Sequence, residues 1–328
     1  MALLLSRSDV QKLLPMSKAI DVVEGAFAEL ANGTAEMPDR TVIIDEEVGG
    51  WIAYMPAYLG SSGALGVKAV TVYKGNPEKF DLPTTLGIII VQDNQTGKTL
   101  AVMDGGFLTA VRTGAVSGVA TKHLSRTNSS VAGILGTGVQ AYTQVTGMAA
   151  ARDLDTILAF SLDPDDKRRS FAESLTAETG VEVRLAGSTE ELLNDSDIVA
   201  LATTSPNPIV EAGWWKSGAH INSVGSHAPA LRELDTASIQ QAKVITDQTQ
   251  ACLLEAGDIM IPIQEGNYSA DKIHGELGGV INKTTSGREN DEEITLFKSV
   301  GLAIQDLSCA RLVYDLALEG GVGTEFDF

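Results

Sequence analysis

The sequence predicts an α/β protein made of a doubly wound parallel sheet and a separate α+β domain. Two observations carry this prediction. Between residues 40 and 103, apolar strand segments are separated by turn residues, which is typical of an antiparallel sheet. From residue 131 onward, short apolar strands alternate with helix-like spacers, which is typical of a parallel sheet with crossover helices. A chain of 328 residues is also long enough for two domains.

The N-terminal half begins with a strand and a helix, because apolar residues such as Val23, Phe27 and Leu30 recur at helical spacing. Strand patterns follow, and Asp93–Gly97 is a strong hairpin turn between the last two. The strand candidates of this half are Thr41–Asp45, Trp51–Met55, Leu65–Val72, Gly87–Gln92 and Leu100–Met103.

Two helices set the predicted domain boundaries. The segment 107–124 is rich in small residues and is expected to connect the two halves, whereas an amphipathic helix over about 302–318 is expected to return to the N-terminal half. The predicted domains are residues 1–120 with 305–328 and residues 121–304. The strand candidates of the second half are Val131–Leu135, Thr156–Ser161, Val181–Arg184, Ile198–Ala202, His220–Val224 and Lys243–Thr246.

A glycine-rich turn follows the first strand of the second half. The run 131–145 passes from a strand pattern through Gly136 and Gly138 into a helix-compatible segment. This GxGxxA pattern is a phosphate turn of the Rossmann type, in which Gly138 would admit a pyrophosphate and Ala141 would let the helix pack closely. The free N–H groups at the helix start would receive the phosphates. An ordinary strand-to-helix turn is the alternative, but the alternating strands favour the nucleotide site.

Composition disfavours several function classes. With 24 Lys and Arg against 43 Asp and Glu, the net charge of −19 argues against nucleic acid and anionic membranes as partners. The two cysteines, Cys252 and Cys309, lie far apart without metal-ligand spacing, so neither a disulfide framework nor a metal site is predicted and both are expected to be buried. The chain has no signal-peptide pattern and no uninterrupted apolar span of about 18 residues, so a soluble cytoplasmic protein is expected.

Four polar residues of the N-terminal half stand where a sheet is expected to be apolar. Lys68 interrupts an apolar strand, Arg112 lies in a helix of small residues, Arg40 precedes a strand and Thr84 follows a proline. Three of them have a structural alternative: Lys68 on a solvent-exposed face, Arg112 in a surface ion pair, and Thr84 as a strand entrance.

Two loops of the second half follow the carboxyl ends of predicted strands, where doubly wound folds bind ligands. A histidine at such an edge can exchange protons near neutral pH, so His227 is a catalytic candidate, with an ordinary surface histidine as the alternative. The loop residues are Thr203 and Thr204 after the fourth strand, and Val224, Gly225, Ser226 and His227 after the fifth.

Six motifs spread over nearly the whole chain complete the pattern. They are Gly66–Lys68, Leu82–Thr84, Thr96–Gly97 with Leu100–Ala101, Leu108–Thr113, Gly136–Gln140 and Ser299–Asp306. In this order and at this spacing the set resembles the ornithine cyclodeaminase/mu-crystallin family, which includes archaeal-type alanine dehydrogenases and ketimine reductases.

The resemblance implies a homodimer in which the N-terminal domains build the subunit interface and the substrate pocket. It also implies that Arg40, Lys68 and Arg112 bind the carboxylate of the substrate, with Thr84 beside them. A guanidinium can hold a carboxylate through two hydrogen bonds, and a lysine ammonium can orient an imine or a carbonyl.

The resemblance further implies a nicotinamide dinucleotide cofactor. NAD is favoured because Asp163 lies close to the end of the second strand, where a carboxylate accepts hydrogen bonds from the ribose. NADP is the alternative, since the basic residues 167–169 follow. The expected cofactor positions are Thr113, Gly136, Thr137, Gly138, Val139, Gln140, Ser161, Asp163, Thr203, Thr204, Val224, Gly225, Ser226, Ser299, Val300 and Gly301.

One residue departs from the pattern of the cyclodeaminases, because His227 stands where they carry an aspartate. An imidazole is a poor partner for the terminal ammonium of ornithine, so net redox chemistry is favoured. The expected reaction exchanges hydride between nicotinamide and the α-carbon of a small amino acid or its imine, with Lys68 or His227 assisting proton transfer and a 2-oxo acid as a further substrate class. Two alternatives stay open: a cyclodeaminase that recycles bound NAD, and a non-catalytic nucleotide-binding protein of the crystallin type.

Overall fold

The computed structural model describes every residue from Met1 to Phe328. It divides into two compact units: unit 1 comprises Met1–Arg112 and Leu302–Phe328, and unit 2 comprises Thr113–Gly301. The α/β class with a parallel sheet, predicted from the sequence, is confirmed. That the two parts are functional domains bounded at 1–120 with 305–328 and at 121–304 stays a prediction.

Unit 1 combines helices with a mixed sheet. Its elements up to the chain crossing are β1 Ala2–Leu5, α1 Arg7–Leu13, α2 Met16–Ala31, β2 Ala35–Glu36, β3 Thr41–Asp45, β4 Gly50–Leu59, β5 Ala64–Tyr73, α3 Asn76–Phe80, β6 Thr85–Gln92, β7 Thr99–Asp104 and α4 Gly105–Leu124. The chain passes from unit 1 to unit 2 within α4, after Arg112.

Unit 2 alternates strands and helices. Its elements are β8 Val131–Leu135, α5 Val139–Ala151, β9 Thr156–Phe160, α6 Asp165–Thr179, β10 Val183–Leu185, α7 Thr189–Asp195, β11 Ile198–Leu201, β12 His220–Ser223, α8 Thr236–Gln241, β13 Lys243–Thr246, α9 Thr249–Glu255, α10 Gly257–Gln264, β14 Gly275–Glu276, α11 Leu277–Ile281 and β15 Thr295–Lys298. The chain then returns to unit 1 with α12 Ala303–Gly320 and β16 Thr324–Phe326.

The sheet of unit 1 has the strand order β16-β1-β7-β6-β5-β4-β2, with β3 also paired to β4. The strands β3 to β7 are antiparallel, as predicted, and β1 adds a parallel pair with β7. One face of the sheet is covered by α12, which also packs on α2. Met55, Lys68 and Ile89 are cross-strand neighbours, and all three are buried.

The opposite face of this sheet is apolar and open. Alternate residues of a strand point to opposite faces, so Tyr54, Ala69 and Ile88 share one row, next to a row that contains Val67 and Ile90. Tyr54 is 45% exposed and Ile88 is 48% exposed. A contiguous apolar surface of this kind on a sheet marks an interaction site more often than a solvated face.

All neighbouring strands of unit 2 are parallel, in the order β10-β9-β8-β11-β12-β15-β13-β14. The six strands predicted for this half are all present. The prediction missed β14 and β15, and β15 lies between β12 and β13. The four residues of β15 are all buried, and so short an apolar run has no period that separates a strand from a loop.

The core of unit 2 lies on both faces of its sheet, as expected for parallel strands covered by helices. Cys252 and Cys309 are both free and buried, as predicted. None of the helices is both long and apolar enough to cross a lipid bilayer. The cytoplasmic location stays a prediction.

A substitution at Gly66, two residues before Lys68, tests the packing of unit 1. A Cβ added at Gly66 would lie 2.0 Å from the carbonyl oxygen of Ile90 and 2.8 Å from Cδ1 of Leu307 on α12. We expect Gly66→Ala to destabilise the protein by about 1–3 kcal/mol, because neither the backbone nor the buried helix has room to move. Urea unfolding of the purified protein measures this.

The matched control is Gly25→Ala, in the middle of α2. A Cβ added there meets nothing within 4 Å, so alanine should leave stability unchanged or raise it by up to about 1 kcal/mol. Equal unfolding midpoints for the Gly66→Ala protein and the wild type would contradict the packing described here.

Candidate functional site

A buried carboxylate joins two of the predicted substrate residues in unit 1. Asp306, in the first turn of α12, lies with Oδ2 2.6 Å from Nζ of Lys68 and with Oδ1 2.9 Å from Nε of Arg112. Asp306 has no exposed surface and Lys68 is 1% exposed. The structural alternatives for Lys68 and Arg112, a solvent-exposed face and a surface ion pair, are therefore wrong.

The same cluster contains a second residue of α12. The amide oxygen of Gln305 accepts a hydrogen bond from Nη1 of Arg112, which fixes the side-chain amide so that its nitrogen points the other way. That nitrogen is buried and has no hydrogen-bond partner in the protein. A buried donor without a partner costs free energy unless a ligand accepts its hydrogen, so it fits an anion bound beside Arg112.

The charges of the cluster do not balance. Asp306 supplies one negative charge against the two positive charges of Lys68 and Arg112, and Arg40 is close enough to repel the Lys68 ammonium. A buried excess of positive charge is costly unless an anion neutralises it. The cluster is thus suited to binding a carboxylate, although the protein as a whole is strongly acidic.

The pKa of Lys68 is lowered from its ordinary value to about 7: burial is the largest cause, Asp306 opposes it, and the positive charges of Arg112 and Arg40 contribute to the lowering. The side chain therefore changes between ammonium and amine near neutral pH. This is the property that general acid–base catalysis requires of a side chain.

Thr84, the fourth predicted substrate residue, stands apart from the cluster along the sheet. It directly precedes β6, where Thr85 is paired with Val72, whereas Lys68 is paired with Ile89 farther along the same strand. The carbonyl oxygen of Thr84 accepts a hydrogen bond from the backbone N–H of Tyr73. Its role in substrate binding stays a prediction.

The glycine turn of unit 2 has the geometry that a pyrophosphate needs. Gly136 has a φ of 114°, and a Cβ there would lie 2.8 Å from the carbonyl oxygen of Ala202. Gly138 is the N-cap of α5 and makes no side-chain cap, and its Cα faces open space. The N–H groups at the start of α5 are thus open to an anion at the site predicted from Gly136–Gln140.

Asp163 lies beside this turn. Its carboxylate accepts a hydrogen bond from Oγ1 of Thr137, within the glycine turn, and from Oγ of Ser161 at 3.2 Å. A hydrogen bond from Lys167, followed by that from Thr137, holds the pKa of Asp163 below its usual range, so the group is ionised at neutral pH. An ionised carboxylate at the end of the second strand matches a ribose with free hydroxyl groups.

The basic residues 167–169, which left NADP open as an alternative, are all paired with acids. Lys167 lies 2.7 Å from Asp163. Arg168 and Arg169 both pair with Asp165, which is exposed. These ion pairs reduce the positive charge available to a 2′-phosphate.

The remaining cofactor candidates lie at strand ends or beside α5. The carbonyl oxygen of Thr113 accepts a hydrogen bond from Nε2 of Gln144 on α5. Thr203 and Thr204 follow β11, and residues 224–226 follow β12. Since neighbouring parallel strands end at the same edge of the sheet, these loops lie together there.

His227 lies in the loop between β12 and α8. Its Nδ1 lies 2.8 Å from the carbonyl oxygen of Gly225, and because a carbonyl only accepts, Nδ1 carries the hydrogen. In the neutral imidazole the lone pair is therefore on Nε2. This contact orients the ring from its own loop.

The loop Ser299–Gly301 is fixed by a buried aspartate at the end of β13. Oδ2 of Asp247 accepts hydrogen bonds from Oγ of Ser299 at 2.8 Å and from the backbone N–H groups of Val300 and Gly301 at 2.8 and 2.9 Å. These donors are already used, so any contact of the loop with a cofactor would be made by its other atoms.

Sequence reasoning missed the buried acids that organise these sites. Asp306 is the last residue of the motif Ser299–Asp306, but no role was predicted for it. No role was predicted for Asp247, Asp258 or Glu233 either. A charged residue next to an apolar run was the available signal. It does not say whether the side chain turns into the core or into solvent, because that depends on partners far away in sequence.

Comparison with known proteins identifies the family of the chain. Residues 1–321 match the model of the ornithine cyclodeaminase/mu-crystallin family. A Δ1-pyrroline-2-carboxylate reductase of Bacillus cereus is 37% identical over 327 residues, which cover 99% of this chain and 100% of the relative.

Two solved structures are also similar. One is a Δ1-pyrroline-2-carboxylate reductase of Thermococcus litoralis in complex with NADH and L-proline, with 47% identity, a TM-score of 0.95 and coverage of 99% of this chain and 100% of that chain. The other is an archaeal alanine dehydrogenase dimer with bound NAD, with 36% identity, a TM-score of 0.93 and coverage of 100% and 99%. With a family match over almost its whole length and relatives at this level of identity, the chain belongs to the ornithine cyclodeaminase/mu-crystallin family.

Proposed function

We propose that the protein is an NADH-dependent imine reductase that converts a small cyclic imine bearing a carboxylate, of the Δ1-pyrroline-2-carboxylate type, into the corresponding amino acid. The observation that carries this proposal is the buried cluster of Lys68 and Arg112 on Asp306, which has an unbalanced positive charge. The similarity to the Thermococcus litoralis reductase in complex with NADH and L-proline supports it.

In this proposal the cations of unit 1 have different roles. Arg112 and Arg40 hold the substrate carboxylate, and the free amide nitrogen of Gln305 donates one more hydrogen bond to it. Asp306 stays in place and keeps the Lys68 ammonium and the Arg112 guanidinium oriented, since each of its oxygens contacts one of them. Binding therefore fixes the position of the imine before reaction.

Reduction adds a hydride to the carbon and a proton to the nitrogen of the C=N bond, and the reduced nicotinamide supplies the hydride. Lys68 supplies the proton from Nζ, because its pKa of about 7 lets it give up a proton at neutral pH. His227, with its lone pair on Nε2, is the second candidate for this transfer.

Unit 2 holds the dinucleotide in this proposal. The N–H groups at the start of α5 receive the pyrophosphate, since Gly138 leaves them uncovered. The ionised Asp163 accepts hydrogen bonds from the adenosine ribose and would repel a 2′-phosphate, so NAD(H) is preferred over NADP(H).

The open apolar sheet face of unit 1 is proposed as the contact with a second copy of the chain. The face contains Tyr54, Ile88 and Leu86, which are exposed in the single chain. The archaeal alanine dehydrogenase with bound NAD is a dimer and matches this chain over its whole length. Burial of such a face in a homodimer removes it from water, which stabilises the assembly.

The first test follows the absorbance of NADH with the purified protein. We expect rapid oxidation of NADH with Δ1-pyrroline-2-carboxylate and slower oxidation with pyruvate plus ammonium, the reaction that the alanine dehydrogenase relative suggests. No oxidation with either substrate would contradict the proposal. Conversion of ornithine to proline and ammonia without net NADH production would identify a cyclodeaminase instead.

Lys68→Ala should reduce kcat/KM for the cyclic imine by at least about 10–100-fold, the cost of losing one charge-assisted hydrogen bond, and by more if Lys68 also supplies the proton. Steady-state kinetics at saturating NADH measures this. Lys98→Ala, at an exposed hairpin position, is the control and should behave as the wild type. An unchanged kcat/KM in Lys68→Ala would exclude Lys68 from the site.

The pH dependence of carboxylate binding tests Asp306. The ammonium form of Lys68 attracts a carboxylate and is lost as the pH rises through the pKa of about 7, so affinity should fall over that range. Asp306 raises this pKa, so Asp306→Asn should move the fall in affinity to lower pH. Inhibition by a carboxylate analogue that does not titrate there, such as pyrrole-2-carboxylate, measures it. A shift to higher pH would contradict the assignment.

Asp163→Ala should raise the ratio of kcat/KM for NADPH to that for NADH by about tenfold or more, because the variant loses both the ribose hydrogen bonds and the repulsion of a 2′-phosphate. The control is Glu190→Ala, which removes an exposed carboxylate of unit 2 that does not pair with residues 167–169, and it should leave the ratio close to that of the wild type. Equal ratios for Asp163→Ala and the wild type would remove Asp163 from the ribose site.

Ile88→Asp should convert the proposed dimer into a monomer, because a charged group would be buried in an apolar interface. Light scattering coupled to size-exclusion chromatography gives the mass. Leu254→Asp places the same charge at an exposed apolar position of unit 2 and should leave the mass unchanged. A wild-type protein that is monomeric at micromolar concentration would contradict the proposed interface.

A further inference from the structure

A buried carboxyl group touches two loops of unit 2 that are proposed to bind the cofactor. Oε1 of Glu233 accepts a hydrogen bond of 2.7 Å from the backbone N–H of Thr203, the loop after β11. Oε2 lies directly under Gly225, the loop after β12, since a Cβ at Gly225 would lie 2.4 Å from it. The side chain of Glu233 therefore contacts both loops and sets the distance between them.

Glu233 is itself held rigidly. Its backbone N–H and that of Leu234 donate to Oδ1 of Asp258 on α10, at 2.8 and 3.0 Å. The backbone N–H of Asp258 donates to Oγ of Ser226, so the aspartate anchors both ends of the loop that carries His227. The carboxyl group of Glu233 thus has little freedom to move away from Thr203 and Gly225.

Glu233 forms no ion pair, because the cations Lys298 and Arg232 pair with other residues. Lys298 on β15 is used by Asp258, with Nζ 3.2 Å from Oδ2 of Asp258 and 3.0 Å from Oγ of Ser223. The neighbouring Arg232 turns its guanidinium to the carbonyl oxygen of Leu234 and to Glu265. Oε2 of Glu233 has no hydrogen-bond partner and the residue has no exposed surface.

A buried carboxylate that is hydrogen-bonded only by Thr203 and forms no ion pair is unstable, whereas a neutral carboxyl group is tolerated. The pKa of Glu233 is raised to about 7, first by burial and then by the negative charge of Asp258, while Lys298 and the hydrogen bonds from Thr203 oppose the shift. Below neutral pH the group is therefore mainly protonated. Above it, a negative charge appears under Gly225.

We propose that Glu233 is a positioning residue: its neutral carboxyl group holds the loops at Thr203 and Gly225 in the arrangement that binds the dinucleotide, and its ionisation disturbs that arrangement. This inference rests on the proposed function, because it assumes that these loops contact the cofactor. It adds a protonation state of a residue that does not itself touch the reacting atoms. The affinity for NADH then falls as the pH rises through neutrality.

The test compares NADH binding by the wild type and by Glu233→Gln, measured by fluorescence titration from below to above neutral pH. Glutamine keeps an oxygen for the N–H of Thr203 but cannot ionise. We expect the wild type to lose affinity several-fold with rising pH, and Glu233→Gln to keep the affinity that the wild type has at low pH throughout. Parallel pH profiles of the two proteins would overturn the inference.

Two further measurements and one outcome of the titration complete the test. Glu182→Gln, an exposed position, should follow the wild-type profile. Difference infrared spectra of protein labelled with carbon-13 glutamate should show a protonated carboxyl band that is lost at high pH, and absence of this band would overturn the inference even if Glu233→Gln does not fold. Absence of NADH binding by the wild type at every pH would instead contradict the proposed function, and this inference with it.

Discussion

The buried ion pair between Asp306 and the two cations Lys68 and Arg112 is the constraint on which the substrate site depends. Three separate elements, β5, α4 and α12, bring these side chains to one point inside unit 1. A lysine and an arginine inside a core would be very costly without a carboxylate, and one carboxylate cannot neutralise both. In the proposed function, stability and binding are therefore linked here, because the substrate carboxylate neutralises the residual positive charge of the cluster.

Buried acids recur as organising groups in both units. Asp247 fixes the loop after β15, Asp258 fixes the loop that carries His227, and Asp306 fixes the cations of unit 1. Each uses its oxygens on two or more donors, which is the condition under which a buried carboxylate is tolerated. The acidic residues behind the net charge of −19 are therefore of two kinds: most are solvated at the surface, and a few are buried and stabilise the structure.

Membership of the family does not by itself decide the reaction, since the chain is similar to both an imine reductase and an alanine dehydrogenase. These reactions share a carboxylate, a carbon that exchanges hydride and a nitrogen that exchanges a proton. In the proposed function the site provides one group for each shared part: cations for the carboxylate, Lys68 for the proton, and the glycine turn with Asp163 for the dinucleotide. The side chain or ring of the substrate is the part on which relatives differ.

The sequence by itself determined the features that have a local signature. The Gly136 turn, the six strands around it and the motifs with Lys68 and Arg112 could be predicted, because turn geometry and side-chain periodicity are properties of neighbouring residues. Only the tertiary structure decided the rest: Gln305 meets Arg112 across 193 residues of chain, and β15 enters the sheet between β12 and β13. Whether a lone charge is buried or solvated depends on such distant partners, so the roles of Asp306 and Glu233 follow from packing and not from pattern.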